Sequence, residues 1–351
     1  MSHNRNRRIL SAATMGLAQR AAQLVTSLVT LPLVLHTLGV AAFGIWAASA
    51  SLAWGAGLLD LGLGGALITL LPRSLAVEDA RAVRDYIGAA LIGGMGIAGV
   101  MLVGGGAAVW LCMSQAVSGP ILVAVAGLAL NVPLGIAQNA WFGLQKGFWA
   151  GFWELVQTVL TLALLLLAVA LHGGVLEMAG AVYSALVLAN VGSLVQLFWR
   201  HPEIRPGWRS AGWRGAVRGL PVVMRQGNLL FGISLAGSCS YLFDNLLTLH
   251  WLGVAASARM AIMLRLSVAA AGMIAVVTQP LWPAFVEAAV LHDRRWASRS
   301  LVSASVVVAA LALGGAATII MFGGRCCGYG CMRISAWGRG CSVRAGLGSW
   351  C

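Results

Sequence analysis

Long apolar runs alternate with short polar connections along the whole chain. Nine of the runs reach the roughly 20 residues that a membrane-spanning helix needs. They fall at about 10–35, 41–71, 86–112, 118–142, 148–171, 177–199, 219–249, 254–285 and 301–323. The first is the most polar, with Thr14, Gln19, Arg20, Gln23, Thr26 and Thr30. The second is long enough to tilt or to extend beyond the bilayer. The pattern predicts an all-α polytopic membrane protein.

A repeat organises the runs. Leu35-His36-Thr37-Leu38-Gly39-Val40-Ala41-Ala42 returns as Leu249-His250-Trp251-Leu252-Gly253-Val254-Ala255-Ala256, with seven of eight positions identical at an offset of 214. The same offset places Asp79 on Asp293 and Arg81 on Arg295, past the end of the next apolar run. Six spans separate the copies, and an even number gives both the same orientation, so the repeat is parallel. The expected architecture is a six-helix bundle over 1–199, a basic linker over 200–218, and the first three helices of a second, parallel-repeat bundle over 219–323. Residues 324–351 are unlike anything upstream. Their cysteines fit no zinc spacing, and the tail reads as out-of-frame translation, leaving the second bundle without its remainder.

Composition agrees with a lipid-embedded chain. Sixty per cent of residues are hydrophobic and 9% charged, and mean hydropathy is +0.87; a soluble protein carries roughly 25% charged residues. The net charge of +13 does not point to nucleic acid, because the basic residues are scattered through short connections and form no single patch. The connections at 36–40, 113–117, 172–176 and 250–253 contain no Lys or Arg, while the opposite side receives nearly all of them. The positive-inside rule then places the N-terminus in the cytoplasm. The Arg5-Asn6-Arg7-Arg8 start precedes a segment too long and too polar for a cleaved signal, and predicts a retained first helix. Cys112 and Cys239 lie in apolar runs and make no disulfide framework.

No Walker loop, nucleophile–base pair or metal-ligand spacing is present in the sequence, so no enzymatic activity, metal or cofactor is expected. Charges inside spans carry more information, because each is costly in lipid. Arg20, Arg225 and Arg265 are the candidate lumen cations, while Arg259 lies close enough to the outer end of its span to snorkel. Gln19, Arg20 and Gln23 share one helix face, and a guanidinium there suits a phosphate, which it can bond bidentately without ever losing its charge. Asp60, Asp244 and Glu154 are candidates either for ion pairs or for coupling to an ion. Pro280 and Pro283 mark a hinge or a static kink in the eighth span. His36 and His250, equivalent in the repeat, are either a proton-sensitive gate or polar residues at the interface.

These residues resemble a known family. Leu38-Gly39, Phe43-Gly44-Ile45-Trp46, then Leu59-Asp60-Leu61-Gly62-Leu63-Gly64, and Pro280-Leu281-Trp282-Pro283-Ala284-Phe285 through Glu287 and Asp293 look like bacterial polysaccharide-export flippases, the O-antigen and related lipid-linked oligosaccharide flippases. These belong to one superfamily with the multidrug-extrusion and lipid II flippases. The resemblance covers about 5–323. It implies two six-helix bundles around a lumen that opens alternately to each side of the inner membrane. It also implies movement of an undecaprenyl-diphosphate-linked glycan to the outer leaflet, with membrane lipids and the polysaccharide polymerisation machinery as partners. Arg20, Gln19, Gln23, Arg225 and Arg265 are then the expected contacts to the anionic lipid-linked glycan. Two alternatives stand beside this expectation: an ion-coupled multidrug antiporter of the same fold, and a truncated fragment without transport activity.

Overall fold

The structure is a computed structural model that describes residues 2–52, 59–112, 115–205, 210–252, 254–314 and 317; for 238–270 it describes the helix path alone. The described residues contain no strand. In chain order they form α1 (Ser2–Ser51), α2 (Leu63–Ala76) and α3 (Ala80–Val100). A π-helical turn at Met101–Gly105 leads from α3 into α4 (Gly106–Cys112). There follow α5 (Gln115–Gly143), α6 (Gly147–Ala170), α7 (Val175–Arg200), α8 (Ser210–Leu252), α9 (Val254–Val290) and α10 (Arg294–Gly314). Among the described residues, seven helical stretches are long and apolar enough to cross a membrane. Leu28 and Val103 are each 76% exposed and Trp110 81%. In water such apolar surface would drive aggregation, whereas against lipid tails it is the required exterior. The chain is therefore an all-α polytopic membrane protein.

Two compact units divide the chain. One comprises Met1–Ser238 with Val276–Arg299, and the other Cys239–Ala275 with Ser300–Cys351. The tail at 324–351, read from sequence as out of frame, lies outside the described residues.

The repeated octapeptide marks a break. At Gly39 the backbone turns left-handed (φ 74°) and separates the two arms of α1. The second sequence span, 41–71, is not one helix. Its first arm ends at Ser51, and the chain is interrupted again at Asp60-Leu61-Gly62 before α2 begins. The reason is local. Leu61 and Gly62 both adopt positive φ (49° and 80°), which no α-helix accommodates. The Asp60 carboxylate takes over the exposed donors: the N–H of Gly62 donates to Oδ1 at 2.9 Å and that of Gly64 to Oδ2 at 3.0 Å. A second difference is that α8 starts at Ser210, inside the stretch expected as a linker.

The two turns that the 214-residue offset aligns have the same geometry. Asp79 accepts a hydrogen bond from the Ala82 N–H at 3.0 Å, and Asp293, 214 residues later, accepts one from the Trp296 N–H at 3.2 Å. The preceding residues Glu78 and His292 are both left-handed, with φ 56° and 55°. The Asp79 N–H donates to the Ser74 carbonyl at 2.9 Å and the Asp293 N–H to the Ala288 carbonyl at 3.0 Å. Each turn thus closes one helix and caps the next in the same way.

The core of the first unit gathers Leu63, Leu67 and Leu71 of α2, Ile87 of α3, Ile136 and Trp141 of α5, Leu197 of α7 and Val223 of α8. Small residues set how closely the helices approach. The Tyr183 ring lies against Gly127 and the Trp153 ring against Gly192. Three side chains of this interior reach partners on other helices. Trp141 Nε1 donates to Ser193 Oγ at 3.2 Å, Tyr183 Oη to the Ser49 carbonyl at 2.6 Å, and Asn190 Nδ2 to Asn131 Oδ1 at 2.7 Å.

At the broken helix, Gly62 abuts the backbone of Gly227 on α8, so a methyl group added at Gly62 would collide with the Gly227 carbonyl oxygen. Gly62→Ala combines that clash with a strained left-handed backbone. It should cost about 2–4 kcal/mol, read as a lowered thermal midpoint in detergent. Gly96→Ala, where an added methyl meets nothing within 4 Å, should leave the midpoint unchanged or raise it slightly.

Candidate functional site

A groove runs beside α1 within the first unit. Its upper part is a narrow open cleft lined by Gly16, Gln19 and Arg20 of α1, Phe142 of α5, Gly147, Gly151 and Glu154 of α6, and Val276, Gln279 and Pro280 of α9. Its lower part shares Ala12, Phe142, Gly147 and Pro280, and extends to Arg8, Ile9, Gln145, Pro283 and Ala284. Arg8 and Arg20 stand twelve residues apart on α1, so the groove spans about 18 Å.

Helix periodicity explains the α1 wall. Ile9, Ala12, Gly16 and Gln19 recur at three- and four-residue spacing and present one face. That face approaches α6 closely because α6 answers with Gly147 and Gly151, four residues apart. A methyl group added at Gly147 would sit 3.0 Å from the Ala12 Cβ, and one at Gly151 would sit 3.2 Å from the Met15 Cγ. The α9 wall owes its shape to proline. Pro280 cannot donate to the Val276 carbonyl, nor Pro283 to that of Gln279, and each carbonyl loses its usual helical partner. Both prolines sit inside a helix that runs without interruption from Val254 to Val290.

Several of the residues anticipated from sequence meet here. Gln19 is buried and Arg20 half-buried, and both line the groove. Gln23 is exposed and holds Arg20 in place, its Oε1 accepting from the Arg20 guanidinium at 3.2 Å. Glu154 joins them from α6, and Pro280 from α9. Pro283 lines the lower part. Arg225 is exposed on α8 and does not line the groove. Asp60 serves the helix break described above. The side chains of Arg265, Asp244 and His250 lie outside the described residues, and His36 is exposed. Phe142, Gln279 and the glycines of α6 were not anticipated. For the glycines the signal was present as Gly147-Phe148-Trp149-Ala150-Gly151, a G-x-x-x-G spacing; for Phe142 and Gln279 no sequence signal distinguishes them.

Chemically, the upper part of the groove offers a guanidinium, a carboxylate and two amides among otherwise apolar residues. That set can make polar and charge-assisted contacts to a group that reaches the cleft. Among the described residues no group of His, Cys, Asp and Glu is placed to hold a metal ion.

The basic end of the bundle is tied by a second set of contacts. Arg8 donates to Gln145 Oε1 at 3.4 Å, and Gln145 Nε2 donates to Glu287 Oε2 of α9. Lys146 Nζ stands 2.6 Å from His201 Nε2, while His201 Nδ1 stands 2.8 Å from Glu203 Oε1. Donation from Lys146 leaves Nε2 as acceptor and places the imidazole proton on Nδ1, toward Glu203. Burial pushes the Lys146 amine below its ordinary range, only partly opposed by Glu203. The hydrogen bond from His201 holds Glu203 below the usual carboxylate range.

Solved structures share this fold. Over 91% of this chain and 72% of its own length, a MOP superfamily transporter from Pyrococcus furiosus superposes with a TM-score of 0.67 at 17% identity. A single-site mutant of a MATE transporter superposes with a TM-score of 0.74 at 17% identity, covering 91% of this chain and 73% of its own. An outward-facing multidrug resistance MATE family transporter of the same superfamily gives 0.69 at 16% identity, covering 91% and 72%. No family model and no curated protein matches the chain. The class these findings define is a polytopic helical membrane protein with the fold of MOP superfamily transporters.

A carboxylate held low in the folded state contributes stability that is present above 4.5, the ordinary Glu value, and is lost as pH falls through the folded value. Melting curves of the wild type should therefore fall more steeply on acidification below that point than those of Glu203→Gln. Parallel curves for the two proteins would refute the contribution of this contact.

Proposed function

We propose that the protein is a flippase. It moves an undecaprenyl-diphosphate-linked oligosaccharide from the cytoplasmic to the outer leaflet of a bacterial inner membrane during cell-surface polysaccharide biosynthesis, with its N-terminus in the cytoplasm. The observation that carries this reading is Arg20, a guanidinium held by Gln23 beside the buried Gln19 and facing a groove at membrane depth. A permanent cation in such a place suits a diphosphate, whose oxygens it bonds in pairs. The motifs around Gly39, Asp60 and Pro280 and the transporter fold support the same reading. The polysaccharide polymerisation machinery is the partner expected downstream.

A second reading, an ion-coupled multidrug antiporter, is favoured by Glu154. A carboxylate facing the same groove suits a cationic drug or a coupling ion. Groove polarity is therefore the property that separates the two. The Pyrococcus furiosus relative in fold is itself described by the reverse polarity of its binding pocket, which suggests a different function for that protein.

The test uses the full chain in a bacterial host lacking its own flippase, with surface glycan as readout. Removing a charge-assisted hydrogen bond costs about 1.5–3 kcal/mol, so Arg20→Gln should lower export by about 10- to 100-fold. Arg20→Lys keeps the charge without the fork and should fall between. Normal surface glycan in Arg20→Gln would sink the flippase assignment. Drug resistance conferred by the wild type and lost in Glu154→Gln would establish the second reading instead.

A further inference from the structure

At the basic end of the first unit three cations are each held by an uncharged partner. Arg8 bonds the amide oxygen of Gln145 at 3.4 Å. Lys146 meets the imidazole of His201 at 2.6 Å. The Arg200 guanidinium lies 4.1 Å above the centroid of the Trp149 ring. None of the three forms an ion pair with a carboxylate among the described residues. The acids nearby are engaged elsewhere: Glu203 with His201, and Glu287 with Gln145. A fourth cation, Arg205, donates to the Phe198 carbonyl at 2.7 Å. The three guanidinium and ammonium groups therefore keep most of their hydrogen-bonding capacity.

They also repel one another. Arg8 and Arg200 both lie close enough to Lys146 to push its amine down further, in the same direction as burial. Glu203, bonded to His201, offsets part of this repulsion, and a bound anion would relieve the remainder. The surroundings say what kind of anion. Leu10, Phe148 and Trp199 stand within two residues of Arg8, Lys146 and Arg200 respectively, and are 66%, 38% and 76% exposed. These apolar side chains lie where a spanning helix begins or ends, as interfacial residues do. A free phosphate has no use for them, whereas an acyl chain does.

We propose that Arg8, Lys146 and Arg200 form a binding site for the phosphate headgroup of an anionic membrane phospholipid, at the interfacial level that the exposed Leu10, Phe148 and Trp199 mark on the same helix ends. The site lies at the lower mouth of the groove, through Arg8, but does not depend on what the groove carries. His201 and Glu203 act as positioning residues. The imidazole can accept from Lys146 only while uncharged, and Glu203 keeps its proton on the far nitrogen. A lipid seated here would touch the start of α1, the α5–α6 turn and the end of α7.

The experiment places the full chain in vesicles of phosphatidylcholine mixed with phosphatidylglycerol, then measures by native mass spectrometry which lipid is retained. The wild type should retain phosphatidylglycerol preferentially. Each basic residue near a membrane surface contributes about a fivefold preference for anionic lipid, so single changes to Gln should each lower it by that factor and the triple variant should abolish it. Arg8→Lys with Arg200→Lys keeps the charges and should keep the preference, which separates a charge effect from a folding effect. Unchanged retention in the triple variant would overturn the proposal, as would equal loss in the charge-conserving variant. Displacement of the lipid by dilute inorganic phosphate would show a soluble-anion site and would overturn it too.

Discussion

The hydrocarbon of a bilayer offers no water to a backbone amide, and that constraint governs every part of this chain. An unsatisfied N–H in lipid costs several kcal/mol, on the order of 2–7, so the backbone stays helical unless a side chain can stand in for the missing partner. Asp60 is the clearest case. Its carboxylate accepts two backbone donors at once, from Gly62 and Gly64. With that substitution the chain can turn through Leu61 and Gly62 in left-handed geometry and restart as α2 at a new angle. The restart brings Gly62 against Gly227. The contact between α2 and α8 therefore follows from one carboxylate and the absence of two side chains.

Much of the fold was legible in the sequence because lipid makes hydrophobic length so informative. The apolar runs correspond to helices, and the connection around Gly39 is a turn. The Asp79–Asp293 correspondence, first a matter of spacing, proved to be two capping turns with matching hydrogen bonds. That agreement arises because a cap is a local device: four or five residues specify it wherever it occurs. The interrupted second span was not legible. Its residues are as apolar as a helix demands, and a break there depends on where Asp60 points, which hydropathy does not report. Nor was the early start of α8 at Ser210 legible, since arginines in 210–218 are compatible with either a helix or a linker.

The groove was legible only in part. Gln19, Arg20 and Gln23 could be placed on one face by counting, since that relation lies within a single helix. Glu154 and Pro280 could be singled out one by one as unusual residues in their spans, but nothing in the order of residues places them opposite Arg20. That juxtaposition is tertiary. It depends on the small-residue seam in which Ala12 and Gly16 of α1 face Gly147 and Gly151 of α6. Replacing those glycines by larger residues would push the two helices apart and move Glu154 away from the groove before any change at Arg20 itself.

The same seam bears on how a groove of mixed polarity can serve a transporter. Arg20 and Glu154 line one cleft, yet they are not equally free to act on a cargo. Arg20 is fixed from outside by Gln23, which takes one of its five donors and leaves the fork available. Glu154 rides on a helix whose approach to α1 is set by glycine contacts, so its distance from Arg20 varies with helix separation as well as with its own rotamer. A small relative movement of α1 and α6 would change the electrostatic pairing of the two groups while leaving each in its own helix. An anionic head entering the groove would compete with Glu154 for the guanidinium and favour separation, whereas a cation would compete with Arg20 for the carboxylate. On the function proposed above, the charge of a bound molecule would bias the helix spacing through the pair and so couple occupancy to packing.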